Sequence, residues 1–337
     1  MDIKETLFNL SNKCALGTVC TAADYAAEQL SKYCSVKKLN NLTLLGTLKG
    51  KNDYTILLDA HIDEVGFIVT HISDTGFLKV AKCGGIDVRH LPSKTVTTFG
   101  KKEITGVFSS IPPHLLKGND CPTDITEYKI DTALGSNAKD YISVGDYVCY
   151  KQTAKDLQNN TVMGKALDDR AGVLCLLILA ERLSQKELPV NVEFLLSDAE
   201  ELGLRGAGTA VFDNTPSEAI AIDVSFGNGP DISAYKCGKL GDGAMVGISP
   251  VLDNKITEKL IETAKNNNIL YQPEVMGGRT STNADVISVT KSGVKTGLIS
   301  VPLRNMHTNC EVLNINDILS VCDILENYIM SGGVMND

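Results

Sequence analysis

Two adjacent glutamates, Glu200 and Glu201, follow a run in which apolar residues alternate from Val190 to Leu196. That alternation predicts a strand that enters a core, and Gly203 marks the turn after it. Successive side chains of an extended backbone point in opposite directions, so one carboxylate can bind a metal while its neighbour handles a proton. An isolated Glu-Glu pair is most often a solvated turn, and the interpretation therefore depends on further residues of this kind.

A histidine and an aspartate follow the strand predicted over residues 54–60. His61 would bind a metal through one ring nitrogen, and Asp63 would accept a proton from the other nitrogen and fix the tautomer. A single histidine at a strand end is more often structural, so this pair also depends on additional ligands.

Further residues of ligand type lie later in the chain. Asp168 and Asp169 precede an apolar helix predicted over about residues 170–184, and a carboxylate at this junction can bridge two cations. Acidic caps at a helix start are the ordinary alternative. Two more residues are of ligand type. Asp223 lies near the end of a strand predicted over 218–224, and His307 lies on the loop after a strand predicted over 293–301.

Two imidazoles and several carboxylates form a nitrogen and oxygen ligand set that suits two Zn²⁺, Co²⁺ or Mn²⁺ ions. Such a pair of ions lowers the pKa of a bridging water and polarises a carbonyl. A glutamate that binds neither ion can take the proton of that water and pass it to a leaving amine. The chemistry predicted from these residues is hydrolysis.

Composition narrows the function classes. The 337 residues carry a net charge of −9, which argues against a nucleic-acid partner, and no apolar run approaches the length of a membrane span. The N-terminus lacks the pattern of a signal peptide. Ten cysteines form no CxxC pair, which predicts a cytoplasmic protein whose cysteines are reduced thiols.

The predicted elements change in character along the chain. Short strands with Gly, Pro and Asp turns fill the region from about 65 to 160, whereas helices alternate with strands over 160–330. We therefore expect an α/β fold, a mixed sheet with helices on both faces, with an inserted small all-β domain. The expected domains are a discontinuous catalytic domain, 1–64 and 160–337, and an insertion, 65–159.

Seven stretches in order, covering nearly the whole chain, resemble the tetrahedral (TET) aminopeptidases, a family of dinuclear-metal peptidases. They are DAHIDEVGFIV, GGIDVRHLP, GVFSSIPPHLL, GKALDDRAGV, AEELGLRGA, AIDVS and PLRNMHTNCEVL. The resemblance implies a metal-dependent aminopeptidase that acts on short peptides. Its ligand set would place His61 and Asp223 on one ion and Glu201 and His307 on the other, with Asp168 as the bridge.

The same resemblance implies further features. Glu200 would be the general base, Asp63 would orient His61, and the Asp168–Asp169 peptide would be cis. The inserted domain would mediate dimerisation, with dimers assembling into a tetrahedral dodecamer. Many relatives carry Gly-Thr-Asp-Ala where this chain has Ser281-Thr282-Asn283-Ala284, a stretch expected to line the substrate pocket.

Three alternatives stay open from the sequence. Some proteins of this family are labelled endoglucanases, and paired carboxylates can also hydrolyse glycosides, without histidine ligands. A deacylase acting on small amides would use the same metals. A catalytically silent assembly that binds peptides would keep the fold but would not need Glu200.

Overall fold

The structure is a computed structural model that describes residues 1–39, 42–115, 124–230 and 232–335. Its α-helices are α1 (Ile3–Asn12), α2 (Thr21–Leu30), α3 (Ala138–Tyr141), α4 (Leu167–Leu183), α5 (Arg205–Asp213), α6 (Asn254–Asn266), α7 (Ala284–Ile287) and α8 (Ile315–Met330). Its strands are β1 (Ser35–Lys38), β2 (Leu44–Leu48), β3 (Asn52–His61), β4 (Gly66–Ile72), β5 (Leu78–Cys83), β6 (Thr95–Phe99), β7 (Glu103–Phe108), β8 (Ile130–Asp131), β9 (Tyr147–Tyr150), β10 (Lys155–Asp156), β11 (Thr161–Gly164), β12 (Val190–Ser197), β13 (Glu218–Phe226), β14 (Ala244–Ile248), β15 (Tyr271–Val275), β16 (Lys295–Arg304) and β17 (Glu311–Asn314).

A mixed sheet of eleven strands forms the larger part of the fold, in the order β1-β2-β12-β3-β13-β16-β17-β11-β10, with β14 and β15 added beside β16. At its centre, β12, β3, β13 and β16 run parallel. Ser197, which ends β12, is level with His61, which ends β3. Asp223 in β13 is level with Ser300 in β16. The carboxyl ends of these strands therefore share one edge, where open α/β sheets place their sites.

Helices cover both faces of this sheet, as expected. On one face α1, α2, α4, α6 and α8 share a large core, and on the other α5 and α7 pack against a smaller one. Helix α4 is buried at every position from Ala171 to Ala180, because it packs against α1, α8 and β3. Neither α4 nor any other described helix is long and apolar enough to cross a membrane.

The short strands between Gly66 and Tyr150 close into a barrel, β4-β5-β8-β7-β6-β9. It has its own core, in which Phe67 packs edge-on against Phe108 and Tyr150. The fold class, an α/β sheet with a small all-β insertion, is confirmed. Strands β10 and β11 pair within the large sheet. The exact division at residues 64, 65, 159 and 160 stays a prediction.

Two local expectations differ from the structure. Cys14 and Cys149 form a disulfide that joins the segment after α1 to the barrel strand β9, so the expectation of reduced thiols is wrong for this pair. The sequence also predicts that Thr21 caps the second helix, but Thr21 begins α2 and its hydroxyl does not cap the helix. The hydroxyl instead bonds the backbone N–H and carbonyl of Cys14, and it thereby anchors the preceding turn.

The buried position of α4 generates a stability prediction. Leu177 is fully buried, so Leu177→Ala should lower the free energy of unfolding by about 2–5 kcal/mol, measured by urea denaturation. Leu270 is 63% exposed, so the same change there should shift it by no more than about 0.5 kcal/mol. Equal losses in the two variants would contradict this packing of α4.

Candidate metal centre

The structure brings every residue of the predicted ligand set to the carboxyl edge of the sheet. Strand β3 ends at His61, the turn after β12 carries Glu200 and Glu201, and β13 carries Asp223. Three groups of side chains have their ligand atoms within 4.8 Å of one another inside each group. The groups overlap, and they are His61, Asp169 and Asp223; His61, Glu200 and Glu201; and Asp168, Glu201 and His307. Nitrogen and carboxylate oxygen donors at this density fit divalent ions such as Zn²⁺.

Asp168 lies between the two imidazoles. Its Oδ1 is 3.0 Å from Nε2 of His61, and its Oδ2 is 3.2 Å from Nε2 of His307. The backbone before it takes a left-handed conformation at Ala166, and the Asp168–Asp169 peptide is cis, as the resemblance implied. One carboxylate therefore offers a separate oxygen to each half of the centre.

His307 and His61 each present Nε2 to carboxylates. Nδ1 of His307 donates to the carbonyl of Gly85, 2.7 Å away, which leaves Nε2 facing Glu201 at 3.2 Å. Nε2 of His61 also lies 3.9 Å from Oδ1 of Asp223. A hydrogen bond at the second ring nitrogen is the usual way in which proteins fix a ligating histidine.

Asp63 supports the centre through the backbone as well as through His61. Its Oδ1 accepts the N–H of Glu200 at 3.0 Å, and its Oδ2 accepts that of Glu201 at 3.2 Å. Oδ1 of Asp63 also lies 3.5 Å from Nδ1 of His61. This separation is too long for a good hydrogen bond, so the interaction between the two side chains is mainly electrostatic. The sequence predicted that Asp63 lies beside His61 but not that it accepts hydrogen bonds from the backbone of Glu200 and Glu201.

The electrostatics of the centre follow from burial and crowding. Burial raises the pKa of Glu200 to about 7, and the nearby charge of Glu201 adds to this. Burial also raises the pKa of Asp223 and Asp169. Burial acts the same way on Asp168, but hydrogen bonds from the two imidazoles outweigh it and lower the pKa of Asp168. Asp168 is therefore ionised at neutral pH.

The two imidazoles show the converse effect. Burial opposes their charge, yet the hydrogen bonds of Asp168 and Glu201 raise the pKa of His307 to about 11. The adjacent carboxylates of Asp168 and Asp63 likewise outweigh burial and raise the pKa of His61 well above its ordinary value. Without bound cations, both imidazoles therefore carry protons at neutral pH.

Sequence reasoning missed a buried ion network behind the centre. Glu64 accepts from Nζ of Lys165 at 2.6 Å and from Nη2 of Arg170 at 3.2 Å, and all three side chains are buried. From the sequence, Lys165 and Arg170 are expected to be surface or network residues rather than catalysts, and the structure places them in a network. Their positions beside the Asp168–Asp169 pair were the available signal.

Asn283 lies behind the centre, within the stretch that departs from the pattern of relatives. It is 2% exposed, and its amide donates to Oδ2 of Asp59 at 2.8 Å and to Oγ of Ser197 at 2.9 Å. Burial raises the pKa of Asp59 to about 6, while the bonds from Ser197 and Asn283 oppose that rise. Asn283 therefore supports the ends of β3 and β12, and the expectation that the stretch 281–284 lines the substrate pocket stays a prediction.

Comparison with known proteins identifies the family to which these features belong. Residues 43–324 match the family model described as M42 glutamyl aminopeptidase. The chain belongs to the M42 peptidase family. It is therefore a hydrolase of a metal-dependent aminopeptidase family, and the predicted enzyme class is confirmed.

Individual relatives agree with this assignment over most of their length. The chain is 28% identical to a lysyl aminopeptidase of Pyrococcus furiosus over 270 residues, which is 78% of each chain. Its fold matches an aminopeptidase of the archaeon Desulfurococcus kamchatkensis with a TM-score of 0.92 at 29% identity, covering 98% of this chain and 94% of that one. The TET1 peptidase of Pyrococcus horikoshii, which can assemble into a tetrahedron or a large octahedral shell, matches with a TM-score of 0.87 at 27% identity, covering 98% and 99%.

The protonated imidazoles generate a prediction about metal binding. A metal ion takes a neutral imidazole, so ions bound at His61 and His307 must displace about two protons at pH 7. Titration calorimetry with Zn²⁺ in buffers of different ionisation enthalpy should show this release. The affinity should fall as the pH is lowered, because protons then compete better. A heat of binding that is the same in every buffer would contradict the prediction.

Proposed function

We propose that this protein removes N-terminal residues from short peptides with the help of two divalent ions, Zn²⁺ or Co²⁺ or alternatively Mn²⁺. His61 and Asp223 would hold one ion and Glu201 and His307 the other, with Asp168 shared between them. The observation that supports this most directly is that the two oxygens of Asp168 face two different imidazoles, at 3.0 and 3.2 Å. A carboxylate bound to a single ion has no need of this arrangement.

When bound, the ions would supply Lewis acidity, which polarises the scissile carbonyl and lowers the pKa of an attacking water. Glu200 would then accept the proton of that water and return it to the nitrogen of the leaving peptide. Two features suit Glu200 to this task. Asp63 fixes its backbone, and its burial, which raises the pKa of Glu200 to about 7 without bound ions, favours the uptake of a proton.

Substrate recognition would use the acidic surroundings of the centre. The free amine of a peptide is a cation, so Glu200 or Asp223 could hold it next to the scissile bond. Two arginines with the charge to select an acidic side chain make hydrogen bonds within the chain. Arg304 donates to the carbonyl and side chain of Asn228, and Nε of Arg205 donates to the carbonyl of Leu202. Arg279 is exposed and faces Asp285 at 3.4 Å.

Assembly and location are also proposals. The barrel would mediate dimers, and the dimers would form a dodecamer, an arrangement supported by the resemblance to the Pyrococcus horikoshii peptidase. A cytoplasmic location stays a prediction from the sequence.

The role of Glu200 generates a mutational prediction. Glu200→Gln removes the proton acceptor but keeps the size of the side chain, so kcat should fall by about a thousandfold or more while metal content is nearly unchanged. Glu193→Gln is a matched control, because Glu193 lies in the preceding strand and bonds Asn214. Metal content is measured by mass spectrometry. Wild-type turnover in the Glu200→Gln variant would reject Glu200 as the general base, whereas a wild-type protein that binds metal but cleaves no peptide would favour the silent-assembly alternative.

Removal of metal separates the remaining alternatives. Hydrolysis of a panel of aminoacyl-nitroanilides should vanish after chelation and return with Zn²⁺, Co²⁺ or Mn²⁺, because the ligand set provides no other electrophile. The panel would also identify the preferred N-terminal residue. Cleavage of β-glucan that survives chelation would instead support the endoglucanase alternative. Metal-dependent cleavage of acylated small amides alone would support the deacylase.

A further inference from the structure

A buried glutamate outside the predicted ligand set grips two ligand-bearing segments at once. Glu311 begins β17 and is 1% exposed. Its Oε1 accepts the backbone N–H of His307 at 2.8 Å, and its Oε2 accepts the backbone N–H of Asp168 at 3.1 Å. Asp168 lies in the first turn of α4 and His307 lies in the loop between β16 and β17, and positions 168 and 307 are 139 residues apart in the chain.

We propose that Glu311 is a positioning residue for the metal centre, which holds the backbones of Asp168 and His307 at the separation that a shared ion requires. The inference rests on the proposed function, since it assigns a support to two of its ligands. Glu311 touches neither substrate nor the reacting atoms, and it acts only through the two residues whose amides it binds.

The geometry favours this role over that of an ordinary loop anchor. Nε2 of His307 is 3.2 Å from Oδ2 of Asp168, so the two side chains already face one another where an ion would bind. The left-handed backbone at His307 needs an external support, since φ there is 61° and the residue has a side chain. The bond from Glu311 is made to the N–H of that same residue.

Each of the two carboxylate oxygens of Glu311 accepts one backbone N–H, so both are occupied by the segments that carry the ligands. Strand β17 pairs with β11 so that Glu311 lies opposite Gly164, directly before Lys165. The charge of Glu311 acts on both Lys165 and Arg170, which also pair with Glu64. Two buried acids and two buried bases thus lie together behind the centre, and burial and the nearby charge of Asp168 raise the pKa of Glu311.

A glutamine cannot replace Glu311 in this arrangement. Its single carbonyl oxygen can accept one of the two amides, and its NH₂ group would face the other N–H. Either Asp168 or His307 would then lose its support. Metal affinity typically falls about 10–100-fold when a group that orients a ligand is removed.

The test compares Glu311→Gln with wild type and with Glu218→Gln. Glu218 is a matched control, because it is fully buried, bonds Tyr54 and Tyr328, and lies at the opposite end of β13 from Asp223. Zn²⁺ is titrated against a chromophoric chelator, the visible absorption of bound Co²⁺ is recorded, and the melting temperature of each metal-free variant is measured.

We expect Glu311→Gln to weaken at least one ion by about 10–100-fold and to change the Co²⁺ spectrum, while Glu218→Gln keeps both wild-type affinities. Wild-type affinities and spectrum in a folded Glu311→Gln protein would overturn the inference. Loss in both variants in proportion to their melting temperatures would also overturn it, because Glu311 would then act through general stability.

A second variant covers the case in which Glu311→Gln does not fold. Glu311→Asp keeps the charge but is one methylene shorter, so it should reach only one amide and also weaken metal binding. Wild-type affinity in that variant would overturn the inference. Failure of the wild-type protein itself to bind two ions would reject the proposed function, which is a different result from any of these.

Discussion

The mutual repulsion of the carboxylates is the constraint that the centre must satisfy. Asp168, Asp169, Glu200, Glu201 and Asp223 lie close together in a largely buried site. Two like charges 4 Å apart repel by about 4 kcal/mol at the effective dielectric constant found near protein surfaces, and several such pairs exist here. Protons on His61 and His307 offset part of this repulsion, and bound divalent ions would offset more. The rest of the fold must hold these groups in place against their own repulsion.

Two supporting carboxylates hold the ligand-bearing segments in place, and each accepts hydrogen bonds from two backbone N–H groups. Asp63 binds the backbone N–H groups of Glu200 and Glu201, and Glu311 binds those of Asp168 and His307. In each case a carboxylate outside the proposed ligand set grips the backbone and leaves the ligand side chains free. Backbone amides are suitable partners because they are fixed donors that bring no additional charge. The rigid strand ends of the parallel sheet supply the remaining alignment.

Sequence reasoning identified the proposed ligands and one supporting residue, Asp63. It did not identify the supporting residues Glu64 and Glu311. His61 and Asp223 follow clear apolar runs, and the sheet brings such positions to one edge, so their meeting was predictable. Glu64 and Glu311 look like ordinary solvated glutamates in one dimension, since Lys165 lies 101 residues from Glu64 and Asp168 lies 143 residues from Glu311. The Cys14–Cys149 pair escaped for the same reason, because contacts over long separations carry no local signal. The inserted barrel was predictable from the density of short strands and turns.

Asn283 departs from the family pattern, and it contacts residues beside the metal centre rather than the proposed ligands themselves. Asn283 donates one hydrogen bond to Asp59 and one to Ser197, and Ser197 is level with His61 in the sheet. An aspartate there, as in the Gly-Thr-Asp-Ala pattern, would offer no donor and would face Asp59 as a second acid unless one of them held a proton. With asparagine, Asp59 gains a neutral donor, and the strand ends that carry His61 and Ser197 are held without adding negative charge. Asparagine at this position therefore adds no further negative charge beside the strand that carries His61.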